Sequence, residues 1–285
     1  MVMKLYGNMI AALIMCAVPA QTWKAEAQEP PAERAMVQAR IVLTVAEGKR
    51  LIAKAVAQMP EVRRAREKGT LIITKGTTNT YVAEEITGET IRHGAFVYGR
   101  VYPSKGGTPL SETEPVGEIV YVKGERRRDL SLQEAVAGLQ PGDVVIKGGN
   151  ALDYANRTAG VYIGSATGGT TGTIMPYLVA RKAQLIIPIG LEKQCALPVL
   201  DIQLMMRTPM ESLNSIPSMF LLTGTIVTEI EAFKILSSVS AFQTGAGGIG
   251  GAEGAVHFLV RGSREQVQEA LRVAASVEGE PAFVK

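Results

Sequence analysis

Apolar residues recur at helical spacing after Thr44, where Leu51, Ile52, Ala55 and Val56 share one face, and Thr44 with Glu47 makes the T-x-x-E pair that opens a helix. Pro60 breaks that run and starts a second helix, with Arg63, Arg64, Arg66 and Lys68 on its basic side and Gly69 at its end. Thr70–Thr74 then reads as a short buried strand, followed by the polar turn Lys75-Gly76-Thr77-Thr78-Asn79-Thr80 and a helix over Tyr81–Ile86. Farther on, Ser131/Glu134 opens a helix that Pro141-Gly142 closes. Asp143–Lys147 reads as a strand running into Gly148-Gly149-Asn150-Ala151-Leu152-Asp153. Gly160–Ile163 is a strand leading into the Gly164–Gly172 turn, a helix over Ile174–Lys182 and a strand over Gln184–Ile189. Apolar strands alternating with helices predict an α/β fold with a mainly parallel, Rossmann-like sheet covered on both faces, over residues 36–195. In such sheets ligands bind beyond the carboxyl ends of the strands, which is where all three polar glycine turns fall.

Residues 196–217, punctuated by Pro198, Pro209 and Pro217, read as a crossover. The stretch 218–285 has the order β-α-β-β-α expected of a small ferredoxin-like α+β domain, with helices opened by Thr228/Glu231 and Ser263/Gln266. Gly245–Gly250 spells G-x-G-x-x-G, but a strand rather than a helix follows it, so a loose hairpin or subunit contact is expected there instead of a dinucleotide site. Residues 1–35 admit two readings. One is a secretory signal with an apolar run Met9–Val18 and cleavage after Ala27, hence export. The other is a coding start at Met36, hence a cytoplasmic protein. The apolar run is too short for a stable membrane anchor.

Composition narrows the chemistry. At 46% hydrophobic and 20% charged the chain is globular, and its 30 glycines are clustered. A net charge of +3 with one dense basic run, Arg126-Arg127-Arg128, and no interleaved aromatics argues against a nucleic-acid partner. Two cysteines, Cys16 and Cys195, and two histidines, His93 and His257, leave no disulfide framework, no cysteine zinc site and no material for a histidine metal centre, so no metal and no cofactor is expected.

Three segments resemble the isomerase/CoA-transferase superfamily, which includes ribose-5-phosphate isomerase, glucosamine-6-phosphate deaminase and the LUD domain of lactate-utilisation proteins. They are the strand-turn-helix from Leu71 to Glu85, the stretch Gly142–Asp153, and Gly164–Lys193 with its -LEK end. The resemblance covers roughly residues 44–193. It implies that Thr77, Thr78, Asn79 and Thr80 hold a phosphate or similar anion and that Gly168, Gly169, Thr170, Thr171 and Gly172 face the ligand. It also makes Asp153 the candidate catalytic acid of the second turn. Lys75 and Gly76 of the first turn and Gly148, Gly149 and Asn150 of the second are candidate ligand contacts by their place at strand ends. The isomerases place a further acidic residue after the third turn, and here those positions read Thr171, Gly172, Thr173 and Ile174. Three functions follow as expectations: a binding protein for a small anionic metabolite, a sugar-phosphate isomerase with Asp153 as base, or an oligomeric assembly protein. A homo-oligomer is expected in each case.

Overall fold

The computed structural model describes residues 36–99, 101, 102, 105 and 116–283, and the two readings of residues 1–35 fall outside this range. Strand β1 (Val37–Leu43) leads into α1 (Val45–Gln58), α2 (Pro60–Lys68), β2 (Thr70–Ile73) and α3 (Thr77–Thr87). Next come β3 (Ile119–Val122), β4 (Glu125–Arg126), α4 (Leu132–Ala137), β5 (Val144–Ile146), β6 (Ala151–Asp153), β7 (Thr158–Ile163), α5 (Gly169–Arg181) and β8 (Gln184–Pro188). A 3-10 turn (Leu191–Lys193) and α6 (Val199–Arg207) precede β9 (Ser218–Thr223), β10 (Thr225–Val227) and α7 (Glu229–Ser237). The chain closes with β11 (Ser240–Ala246), β12 (Val256–Gly262) and α8 (Arg264–Ala275).

The fold is mixed α/β. Its central sheet has the order β10-β8-β5-β2-β3-β4, parallel from β10 to β2 and antiparallel from β2 to β4. The sheet is therefore mixed where a mainly parallel one was expected, because β3 and β4 return as a hairpin against β2. Its inner strands are apolar on both faces, with Leu71, Ile72, Val144, Val145, Ile186 and Ile187 buried. Continuous apolar runs of this kind are what a sheet covered on both sides requires.

All four capping pairs read from the sequence form, at Thr44/Glu47, Ser131/Glu134, Thr228/Glu231 and Ser263/Gln266. Each cap of this kind holds a helix start by about 0.5–2 kcal/mol. The non-local pairings depart from expectation. Residues 37–43 form a full strand, β1, which pairs antiparallel with β12 from the far end of the chain in a β1-β12-β11 sheet. Ser218–Thr223, expected to open the C-terminal unit, pairs with β7 in a third sheet, β6-β7-β9. The supposed crossover contains α6, whose Val199, Ile202 and Met206 pack with Ala151 and Met219 of that third sheet.

Candidate functional site

Four parallel strands end along one edge, and their ladders continue one residue past each end. Thr74 N–H donates to Ile146 O, Lys147 N–H to Ile186 O and Ile189 N–H to Val227 O. The residues that leave this edge are Lys75–Thr80, Lys147–Gly149, Gly190–Lys193 and Thr228–Glu229. Helix α3 starts directly from it. Helix α5 runs back to feed β8, so its first turn lies toward the same edge.

Residues 77–80, expected in a loop, are the first turn of α3. Asn79 is fully buried. Its Nδ2 donates to Thr74 O at 2.8 Å and to Ile146 O at 3.3 Å, tying the ends of β2 and β5 together, while its Oδ1 has no partner. A Cβ added to Gly148 would come within 3.6 Å of that oxygen. Thr80 Oγ1 donates to Gly76 O, Gly76 N–H donates to Phe96 O, and buried Thr78 Oγ1 is unpartnered. Asn79 and Thr80 thus brace the edge from beneath, leaving Lys75, Gly76 and Thr77 half-buried at its surface.

The same edge gathers charged side chains from four distant segments. Lys147, the first residue beyond β5, donates from Nζ to Gly148 O at 3.1 Å, and Lys193 donates to Gly149 O at 2.9 Å. Glu229 opens α7, is 2% exposed and accepts the Leu191 N–H at 3.0 Å. Its carboxylate sits over Gly48 of α1, where a Cβ would lie only 2.6 Å from Oε1. The Glu192 carboxylate folds back over Gly190, where any Cβ would overlap it, and Glu192 Oε1 is a buried atom without a partner. Lys49, 9% exposed on α1, lies in the field of Lys193, Glu192 and Glu229.

Low dielectric and mutual charge move Lys49, Lys147 and Glu229 toward neutral pH. Burial, then repulsion from Lys193, lowers Lys49 to about 8 against the pull of Glu192 and Glu229. Burial and Lys193 likewise lower Lys147 to about 8. Burial, then the Glu192 charge, pushes Glu229 far above the usual carboxylate range. Two amines and a carboxyl that exchange protons near neutrality can bind an anion and also move a proton.

The other residues read from the sequence stand apart. Asn150 is exposed, and its Oδ1 accepts the Tyr162 N–H. Asp153 ends β6 instead of lying in a free turn, and its carboxylate accepts Asn156 N–H at 3.1 Å and Asn156 Nδ2 at 2.8 Å, closing the β6–β7 hairpin. Gly168 caps α5 in the left-handed region with φ 80°, Gly169, Thr170, Thr171 and Gly172 form its first turn, and Thr171 is buried. Among the described residues no hydrogen bond or ion pair joins this turn to the lysines.

Lys49, Lys147, Glu192, Lys193 and Glu229 were not singled out from the sequence, although signals existed. A lysine directly ends the apolar run Val144–Ile146, just before two glycines. Lys49 stands three residues before Ile52 and seven before Val56, on the apolar face of α1. Glu229 was legible only as the start of a helix, and its burial depends on α1 packing against α7. Beside the cluster lies a cavity of about 560 Å³, lined by Tyr154, Leu191, Gln194, Ile230, Ala241 and Phe242 among others. Leu191 and Ile230 are the chain neighbours of Glu192 and Glu229. No known protein family, no curated protein and no solved structure matches this chain.

Proposed function

We propose that the chain binds a small anionic metabolite, of the phosphosugar kind, at the carboxyl edge of the central sheet, with Lys49, Lys147 and Lys193 supplying the charge. The observation that carries this is the convergence of three lysines on one sheet edge, with two of their ammonium groups resting on the carbonyls of Gly148 and Gly149. Partly desolvated cations without full ion-pair partners are costly in an empty site and favourable once an anion arrives. The start of α3 adds backbone N–H donors and about 0.3–1 kcal/mol of dipole attraction. The resemblance to the isomerase/CoA-transferase superfamily, with its Rossmann-like sheet, supports the same edge. The test is a thermal-shift panel of phosphosugars, nucleotides and acyl-CoAs on the full chain and on Lys193→Met. At 100 times the dissociation constant, one ligand class stabilises by about 2.7 kcal/mol, and the variant loses that shift. Flat melting curves for every class would sink the proposal and favour a role in assembly.

A second reading, proton transfer on that ligand, is favoured by the proximity of a raised carboxyl and lowered amines. Isomerisation of a phosphosugar needs a base that takes a proton beside the carbonyl and returns it. On this reading Glu229, rather than Asp153, is the acid of choice, since the Asp153 carboxylate is engaged by Asn156. The check is deuterium incorporation from heavy water into the bound sugar, followed by NMR. Incorporation that survives Glu229→Gln would exclude Glu229 as the base.

A further inference from the structure

We infer that α6 is a self-association surface, and that two copies of this chain pair through it with their α6 helices antiparallel. One face of α6 is committed to the protein's own β6-β7-β9 sheet through Val199, Ile202 and Met206, and Gln203 Nε2 donates to Met219 O. The opposite face is apolar and bare. Leu197, Leu200, Leu204 and Met205 are each about half exposed, and the segment that follows α6 adds Met210 and Leu213, the latter 99% exposed. Leu200 and Leu204 stand one helical turn apart, so their side chains form a continuous ridge. Monomers rarely leave a contiguous apolar surface of this kind uncovered. Residues 197–217 are also on the scale of one side of an ordinary interface, which engages about 20–30 residues.

Charge identifies the occupant. The two charged residues of α6 are Asp201, in its first turn, and Arg207, in its last. Neither enters an ion pair or hydrogen bond with a described residue. They stand three residues to either side of Leu204, about 4.5 Å along the axis in each direction. A second α6 aligned antiparallel through Leu204 therefore brings each Asp201 level with the other copy's Arg207 and stacks the leucines between them. A parallel alignment would set like charges side by side. An isologous contact demands this self-complementarity, and an unrelated partner would not.

Sedimentation velocity of the full chain tests it. The wild type is expected to run as a dimer at about 10 μM, and Leu204→Glu, a change at an exposed position that leaves the melting temperature within a few degrees, weakens dimerisation by about a hundredfold. Asp201→Arg and Arg207→Asp each weaken it at least tenfold, and the double exchange restores it. A monomeric wild type, or a dimer indifferent to Leu204→Glu, would overturn the surface. A double exchange that stays dissociated would overturn the antiparallel pairing.

Discussion

Two glycine-rich turns carry opposite designs. At Lys147–Gly149 the chain leaves a parallel strand, and Gly149 is there for space. Gly149 has ordinary torsions, yet a Cβ on it would press on Ile189 Cδ1 at 3.0 Å and on the carbonyl of Gly160 at 3.2 Å. At Gly245–Gly254 the chain reverses between antiparallel β11 and β12, and Gly247, Gly250, Gly251 and Gly254 are there for torsion, all at positive φ, while Gly248 makes room for Ala252. Gly247 has φ 90° with nothing within 4 Å of a Cβ. The acids differ in the same sense. Glu229 beside the first turn is driven toward neutrality by burial, whereas Glu253 in the hairpin is held ionised by its own N–H and that of Gly251. Glycine content alone thus marks neither a ligand nor a turn. What separates Gly149 from Gly247 is whether the backbone is crowded, and what separates the two turns is whether charge is being withdrawn from water.

The largest test of this contrast is pH. Because Glu229 has a folded pKa raised to about 8 from 4.5, the stability it lends is complete below pH 4.5 and lost as pH rises through about 8. Lys49 and Lys147 act in reverse, with stability complete above 10.5 and lost as pH falls through about 8. Chemical denaturation should show Glu229→Gln matching the wild type near pH 4.5 and exceeding it by a few kcal/mol above pH 8, at about 1.4 kcal/mol per unit of pKa shift. Glu253→Gln should show no such gain. Equal pH profiles for the wild type and Glu229→Gln would mean that the edge is wetter than its burial indicates.

Lys147→Met separates function from stability. Removing a desolvated ammonium should raise the melting temperature by a few degrees, while ligand affinity falls at least tenfold through loss of a charged hydrogen bond worth about 1.5–3 kcal/mol. A variant that melts lower and binds normally would make Lys147 structural. The glycines come next. Gly149→Ala should cost about 1–3 kcal/mol by overpacking, and Gly149→Asn more. Gly247→Ala should cost about 1 kcal/mol by torsion alone, with Asn recovering much of it, since Asn tolerates positive φ. Similar penalties for Asn at both positions in urea titrations would erase the distinction between space and torsion. The smallest effect belongs to Asp153→Asn. Asn closes a turn nearly as well as Asp, so stability should move by no more than about 0.5 kcal/mol, and ligand affinity should hold. A tenfold loss of affinity would return Asp153 to the site.

Short-range chemistry sets the local elements. Four helix starts follow from a hydroxyl residue and an acid or amide three positions later, because the bonds that close a capping box span only those residues. The buried strands Thr70–Ile73, Val144–Ile146 and Gln184–Pro188 follow from short apolar runs bounded by breakers, and the hairpin at Gly245–Gly254 from the absence of a helix after it. The tertiary structure alone decided which strands pair. It brought β1 to β12 across more than two hundred residues, sent Ser218–Thr223 to β7, and turned the antiparallel pair β3–β4 onto an otherwise parallel sheet. It also decided which charged side chains converge beyond the central strands. Asn79 and Asp153 read as ligand contacts because their side chains can bond anions or hydroxyls. In the fold the Asp153 carboxylate accepts from Asn156 and Asn79 Nδ2 donates to Thr74 and Ile146, while Asn79 Oδ1 is left without a partner, and sequence does not record which partner arrives. Lys49 and Glu229 looked like ordinary helix residues because a charge on an amphipathic helix normally meets water. Only the packing of α1 against α7, with Gly48 making room, takes that water away and turns two commonplace charges into groups that titrate near neutral pH.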